Sequence, residues 1–181
     1  MVLKDNFKHR ITFLFLIFGT LFASIQGQNV EKMIRKEVQV LWENSGEIAQ
    51  IQLSQDFASS CDDIHDGDLV YSIPNMADGS IIGYVLTTSA MGRFDAFDYF
   101  IIYNKELKVQ SVRVVVYRSS HGSAICNKRW LKQFEGFGGE TIVYGKDIQA
   151  VSGATISGGS IVEDVRRASK LMEILKEEQV F

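Results

Sequence analysis

The chain has 181 residues, 46% hydrophobic and 23% charged, with one proline and 15 glycines, a balance that excludes disordered, collagen-like and low-complexity proteins. Two cysteines are too few for a disulfide-dense scaffold or a structural zinc cluster. A formal net charge of −3 supplies no basic field for a phosphate backbone, so no nucleic acid is expected as a partner.

Lys4, Lys8 and Arg10 precede an apolar run, Ile11 to Ile25, with Ala23, Ser24 and Gly27 around its end. This is the layout of a secretory signal, and cleavage is expected after Gly27. A retained N-terminal anchor is the alternative, although the run falls short of the roughly 20 apolar residues that cross a bilayer. Without residues 1–27 the chain keeps 16 basic against 21 acidic side chains, a net of −5. The expected location is therefore exported: the periplasm or the outer face of the cytoplasmic membrane. In such an oxidising place Cys61 and Cys126 can pair, closing a loop worth about 4 kcal/mol; otherwise both are small buried hydrophobes.

Residues 28–181 are expected to form one domain. Met33, Ile34, Val38 and Leu41 follow helical spacing and predict an amphipathic helix from Val30, placed over one edge of a sheet. The stretch through Gln55 alternates weakly, and residues 61–68 read as an acidic turn. Ser80 to Thr88, Phe97 to Tyr103 and Leu107 to Tyr117 are rich in β-branched and aromatic residues and predict three strands. The short link Asn104-Lys105-Glu106 requires antiparallel neighbours, so the centre is expected to be a meander. Next come a polar loop, Arg118 to Ser123, a short helix with Trp130, Leu131 and Phe134 on one side, and a brief strand around Thr141 to Tyr144. A terminal helix follows. Ser160 and Glu163 have capping-box spacing, which predicts its start near Ile161, and Ile161, Val165, Ala168, Met172 and Leu175 form its buried stripe. The fold class is α+β, a twisted, mainly antiparallel sheet flanked by helices.

Most catalytic patterns are absent. Gly145-Lys146 has no glycine five positions earlier and is followed by Asp147, and Gly136-Phe137-Gly138 is not completed at Thr141, so neither phosphate-loop nor dinucleotide fingerprint is present. Asp62, Asp63, His65, Asp66 and Asp68 resemble a metal loop only superficially, because Ile64 stands where an oxygen ligand is needed; a solvated turn is the expectation. Ala150 to Gly159 is different. Its small residues allow a ligand close to the backbone, the hydroxyls of Ser152, Thr155 and Ser157 donate hydrogen bonds, and the following helix start adds positive potential. Glu163 and Asp164 oppose that potential.

Ser152-Gly153-Ala154-Thr155, after a sheet and before the terminal helix, resembles the signature of the FMN-binding domain family, which includes the flavin-carrying subunits of sodium-translocating NADH:quinone reductase and of Rnf complexes. Gly83-Tyr84-Val85, Val109 to Tyr117 and Arg129 to Gly136 are similar to further parts of that family. The resemblance implies FMN joined through its phosphate to the hydroxyl of Thr155. A flavin transferase supplies FAD, the threonine oxygen bonds to phosphorus, and AMP leaves. Ser152, Gly153, Ala154 and Ser157 would complete the attachment loop, with Arg118, Ser120, His121 and Gly122 as the opposite wall. Gln149 stands where the family has an aspartate, three residues before the serine, and the loop Ser119 to Gly122 lacks the family's glutamate and proline-glycine pair.

The expectation is thus an exported FMN-binding electron-transfer protein, a carrier or redox subunit rather than a self-standing catalyst, working with envelope or membrane redox partners. Two alternatives are a non-covalent FMN-binding or sensory module and a cofactor-free secreted structural domain. Trp130 is expected in the core, and Arg129, Arg166 and Arg167 on solvated helix faces.

Overall fold

The computed structural model describes residues 28–181; the predicted leader, 1–27, lies outside the described residues. The chain divides after Glu37, and the second unit, Val38–Phe181, carries the sheet and everything considered below. A helix, α1, occupies 28–41, where the apolar spacing predicts it. No helix among the described residues is long and apolar enough to cross a membrane.

Five strands form one open antiparallel sheet in sequence order: β1 Ala49–Ile51, β2 Leu69–Pro74, β3 Ile81–Met91, β4 Ala96–Asn104 and β5 Val109–Val116. The fold is α+β. Strands β3, β4 and β5 are the predicted meander, at one edge of the sheet, with Tyr84 opposite Tyr103 and Ile101 opposite Val112. The first two escape the sequence pattern. Ala49–Ile51 is too short for a period to show, and Leu69–Pro74 ends in the chain's one proline, tolerated there because the register shifts between Ile73 and Pro74. Between them lies a short helix, α2, Gln55–Ser60, capped by the Ser54 hydroxyl.

Alternate residues of β4 (Phe97, Tyr99, Ile101 and Tyr103) enter one core with Leu86 of β3 and Val109 and Val112 of β5. Beyond β5, Asn127 caps the helix α3, Lys128–Leu131, and a 3-10 turn, Lys132–Phe134, continues it; Trp130, Leu131 and Phe134 are buried as their spacing predicts. Residues 141–144 are not a strand: Tyr144 makes a single parallel bridge to Ile148, because a four-residue turn held by Asp147 folds the chain back on itself.

The last helix, α4, is Thr155–Glu177, starting six residues before the expected Ile161. Ser160 and Glu163 therefore sit inside it rather than at a cap. The added turns are held by Ser157, which is buried against Tyr117, and the predicted stripe packs behind them. Ile161, Val162, Val165, Ala168, Leu171, Met172 and Leu175 are all at most 1% exposed, each large one contributing about 1.5–3 kcal/mol, which outweighs the roughly 1 kcal/mol cost of each of Gly158 and Gly159 in the first turns.

Cys61 and Cys126 are both free thiols, half-buried at the margin of the core, so the disulfide does not form here. Burial raises the Cys126 thiol pKa, as expected of a small apolar packing residue.

Candidate functional site

Three segments converge on the first turn of α4, and the residue at their meeting point is Ser157. It is 2% exposed. The Tyr117 hydroxyl at the end of β5 lies 2.9 Å from Ser157 Oγ and donates to the His121 carbonyl at 2.6 Å, tying the polar loop to the helix. Gly122 completes this contact. A Cβ there would meet the Tyr117 hydroxyl at 2.4 Å and Ser157 Oγ at 2.9 Å, and its φ of +90° is one that side chains resist. On the other side the β3–β4 turn closes in through Gly92, whose Cβ would stand 3.4 Å from Ser157 Oγ and 2.8 Å from the Asp95 carbonyl.

These contacts enclose a cleft of about 370 Å³ lined by Arg93, His121, Gly122 and Gly153 through Ser157, a size usual for small-ligand sites. The polar loop and the loop from Gly153 to Ser157, more than 30 residues apart in sequence, therefore share one cleft. Thr155 is exposed, and its hydroxyl makes no hydrogen bond among the described residues. Ala154 is the N-cap and provides no side-chain acceptor. The amides of Thr155, Ile156 and Ser157 consequently point out of the helix start without a partner among the described residues. Gly153 takes φ +76° with open space beside it.

Not every expected residue reaches the cleft. Ser152 is exposed but does not line it. Arg118 bonds both carboxylate oxygens of Asp98 and the Ala96 carbonyl, so it braces the loop against β4; the Asp98 hydrogen bonds hold its pKa above the ordinary value. Ser120 sits one step behind, with Oγ 2.9 Å from His121 Nδ1.

The sequence pattern missed one residue of the cleft, Arg93, and its neighbour Phe94, which does not itself line the cleft. Arg93 lines the cleft, has no carboxylate partner among the described residues, and stands 5.2 Å from the centre of the Phe94 ring. Phe94 is 62% exposed and meets the His121 ring edge-on at 6.5 Å. The strand patterns stop at Thr88 and resume at Phe97, and the turn between them carries no periodic signal beyond an aromatic beside an arginine in Gly-Arg-Phe-Asp.

Of the two opposing carboxylates, Glu163 is exposed and Asp164 is buried and neutralised. Arg167 is not a solvated helix-face charge: it bonds Asp164 at 2.6 Å, Asp68 at 2.8 Å, Thr88 Oγ1 at 3.0 Å and the Asp63 carbonyl. Burial disfavours its charge, but hydrogen bonds and attraction from Asp164 and Asp68 overcome that and raise its pKa. The Tyr99 hydroxyl also donates to Asp164 at 2.5 Å. The acidic turn is thus half solvated and half pinned, Asp68 being buried and Asp63 paired with Lys170 at 2.7 Å. No group of three or more potential ligands able to hold a metal occurs among the described residues. Arg129 and Arg166 are exposed, and Trp130 is a core residue whose Nε1 donates to the Gln149 carbonyl at 2.7 Å. The Gln149 amide donates to Gln133, leaving the Gln149 side chain at the surface.

The residues present fit a ligand with a phosphate at one end and a flat ring at the other. Among the described residues, amides and a hydroxyl without a partner lie at the helix start, Arg93 in the same cleft has no ion pair, and Ile156 and Phe94 are exposed nearby. No protein-family model and no curated protein matches the chain.

Proposed function

We propose that this chain is an exported electron-transfer protein of the FMN-binding kind, with FMN attached through its phosphate to Thr155 by a flavin transferase. The observation that carries the reading is the convergence of Thr155, His121 and Gly122 on one cleft, with the Thr155 hydroxyl exposed and without a partner among the described residues. Bound FMN would supply one- and two-electron chemistry. Thr155 would hold the phosphate, the amides of Ile156 and Ser157 would face its oxygens, and Gly122 and Gly153 would leave room for it. Export rests on the basic residues and apolar run that open the chain, and the partners would be redox proteins of the envelope or membrane.

Gln149 favours a second reading, in which FMN is held without the ester, because a transferase that looks for an aspartate meets a surface amide there. Intact-mass analysis of protein coexpressed with a flavin transferase and FAD, followed by a denaturing gel viewed for flavin fluorescence, separates the two. The tethered form is expected to fluoresce after denaturation and to carry an FMN phosphoester on the tryptic fragment containing Thr155. Fluorescence lost on denaturation would favour the non-covalent reading, and colourless protein would overturn both.

A further inference from the structure

The β3–β4 turn is not a passive hairpin end. Gly92 seats it against Ser157, its Gly92 amide donates to the Asp95 carbonyl at 3.0 Å, and this places Arg93 and Phe94 outward beside the cleft. Both side chains are exposed. Arg93 forms no ion pair among the described residues although the chain is acidic, and its contact is with the Phe94 ring. Phe94 in turn stands edge-on to His121, which lines the same cleft. A planar, electron-accepting heterocycle has the chemistry that complements this pair: its face stacks on a phenyl ring, and its carbonyl-bearing edge, where negative charge gathers on reduction, attracts a guanidinium.

Building on the proposed FMN reading, we propose that Phe94 and Arg93 form the ring-binding wall of the cleft, Phe94 by stacking on the flavin ring and Arg93 by placing a positive charge at its polar edge. Arg93 thereby favours the reduced form and raises the reduction potential. Phe94 shields one ring face and quenches flavin fluorescence. The two act on the ring and not on the phosphate, so attachment at Thr155 does not depend on them.

The test uses flavin-loaded full-length protein, wild type and three variants: Phe94→Ala, Arg93→Gln and Arg93→Lys. Loading is measured by intact mass, folding by circular dichroism, fluorescence by emission yield, and potential by dithionite titration against a reference dye. Equal loading is expected throughout, with several-fold brighter emission in Phe94→Ala, a lower potential in Arg93→Gln, and a potential restored towards wild type in Arg93→Lys. Loaded variants whose emission and potential match wild type would overturn the ring wall while leaving the FMN reading intact. Wild-type protein that carries no flavin would overturn the FMN reading itself, and the wall with it.

Discussion

Ser157 shows how little room the site leaves for side chains. Tyr117, Gly122 and Gly92 all abut it, and two of the three are glycines because the backbone itself must approach the helix. Gly122→Ala would combine an unfavourable φ with a 2.4 Å approach to the Tyr117 hydroxyl; a loss of at least about 1 kcal/mol is expected, read as a lower urea midpoint at unchanged slope. Thr155 is the opposite case. Its side chain is exposed and unbonded, so Thr155→Ala is expected to abolish the flavin ester while shifting stability by no more than about 0.5 kcal/mol, which intact mass and a thermal melt would check. The loop carrying Gly153 and Thr155 was legible from its small and hydroxylated residues, whereas His121 and Gly122 became candidates only through the resemblance to the FMN-binding domain family. Arg93 and Phe94 were not legible, since a turn between strands reads the same whether its tip faces a cleft or water.

At the scale of elements, α4 is joined to the sheet by more than its apolar stripe. Arg167 links it to Asp68 before β2 and to Thr88 on β3, and Tyr99 on β4 reaches Asp164. Arg167→Met keeps much of the packing volume but strands two buried carboxylates, and a loss of about 3–5 kcal/mol is expected in urea unfolding. Flavin loading of whatever folds should persist, because Arg167 does not line the cleft. A variant as stable as wild type would show that the network is neutral. Helix and strand periods predicted α4, α3 and β3–β5 because each carries enough apolar residues to reveal its repeat. The helix start was misjudged because Ser160 and Glu163 have the spacing of a cap by composition alone, whereas the backbone continues helical through Gly158 and Gly159 once Ser157 is held by Tyr117.

For the molecule as a whole, alkaline pH is the clearest global stress. Burial raises the phenol pKa of Tyr99 and of Tyr103 above the ordinary value near 10, with the neighbouring Asp164 carboxylate adding to the effect at Tyr99. The folded state keeps both protons while the unfolded chain releases them, so this contribution is fully present below pH 10 and falls as pH rises through and beyond it. The slope is on the order of 1.4 kcal/mol per pH unit for each phenol. Urea midpoints measured from about pH 9 to about pH 11 should drop accordingly, and Tyr103→Phe should flatten the fall. A midpoint constant across that range would contradict the burial of these phenols.

Sequence alone determined the α+β class, the antiparallel meander of β3 to β5 and the apolar stripe of the final helix, because periodicity and short connections are local properties of the chain. It also singled out the loop carrying Thr155. Tertiary structure decided where α4 begins, that Arg167 and Asp68 are paired in the interior, and that Arg118 braces β4 while Arg93 lines the cleft. Those outcomes depend on segments distant in sequence meeting at one point, and a charge or a hydroxyl acquires its role only from the partner that packing places beside it.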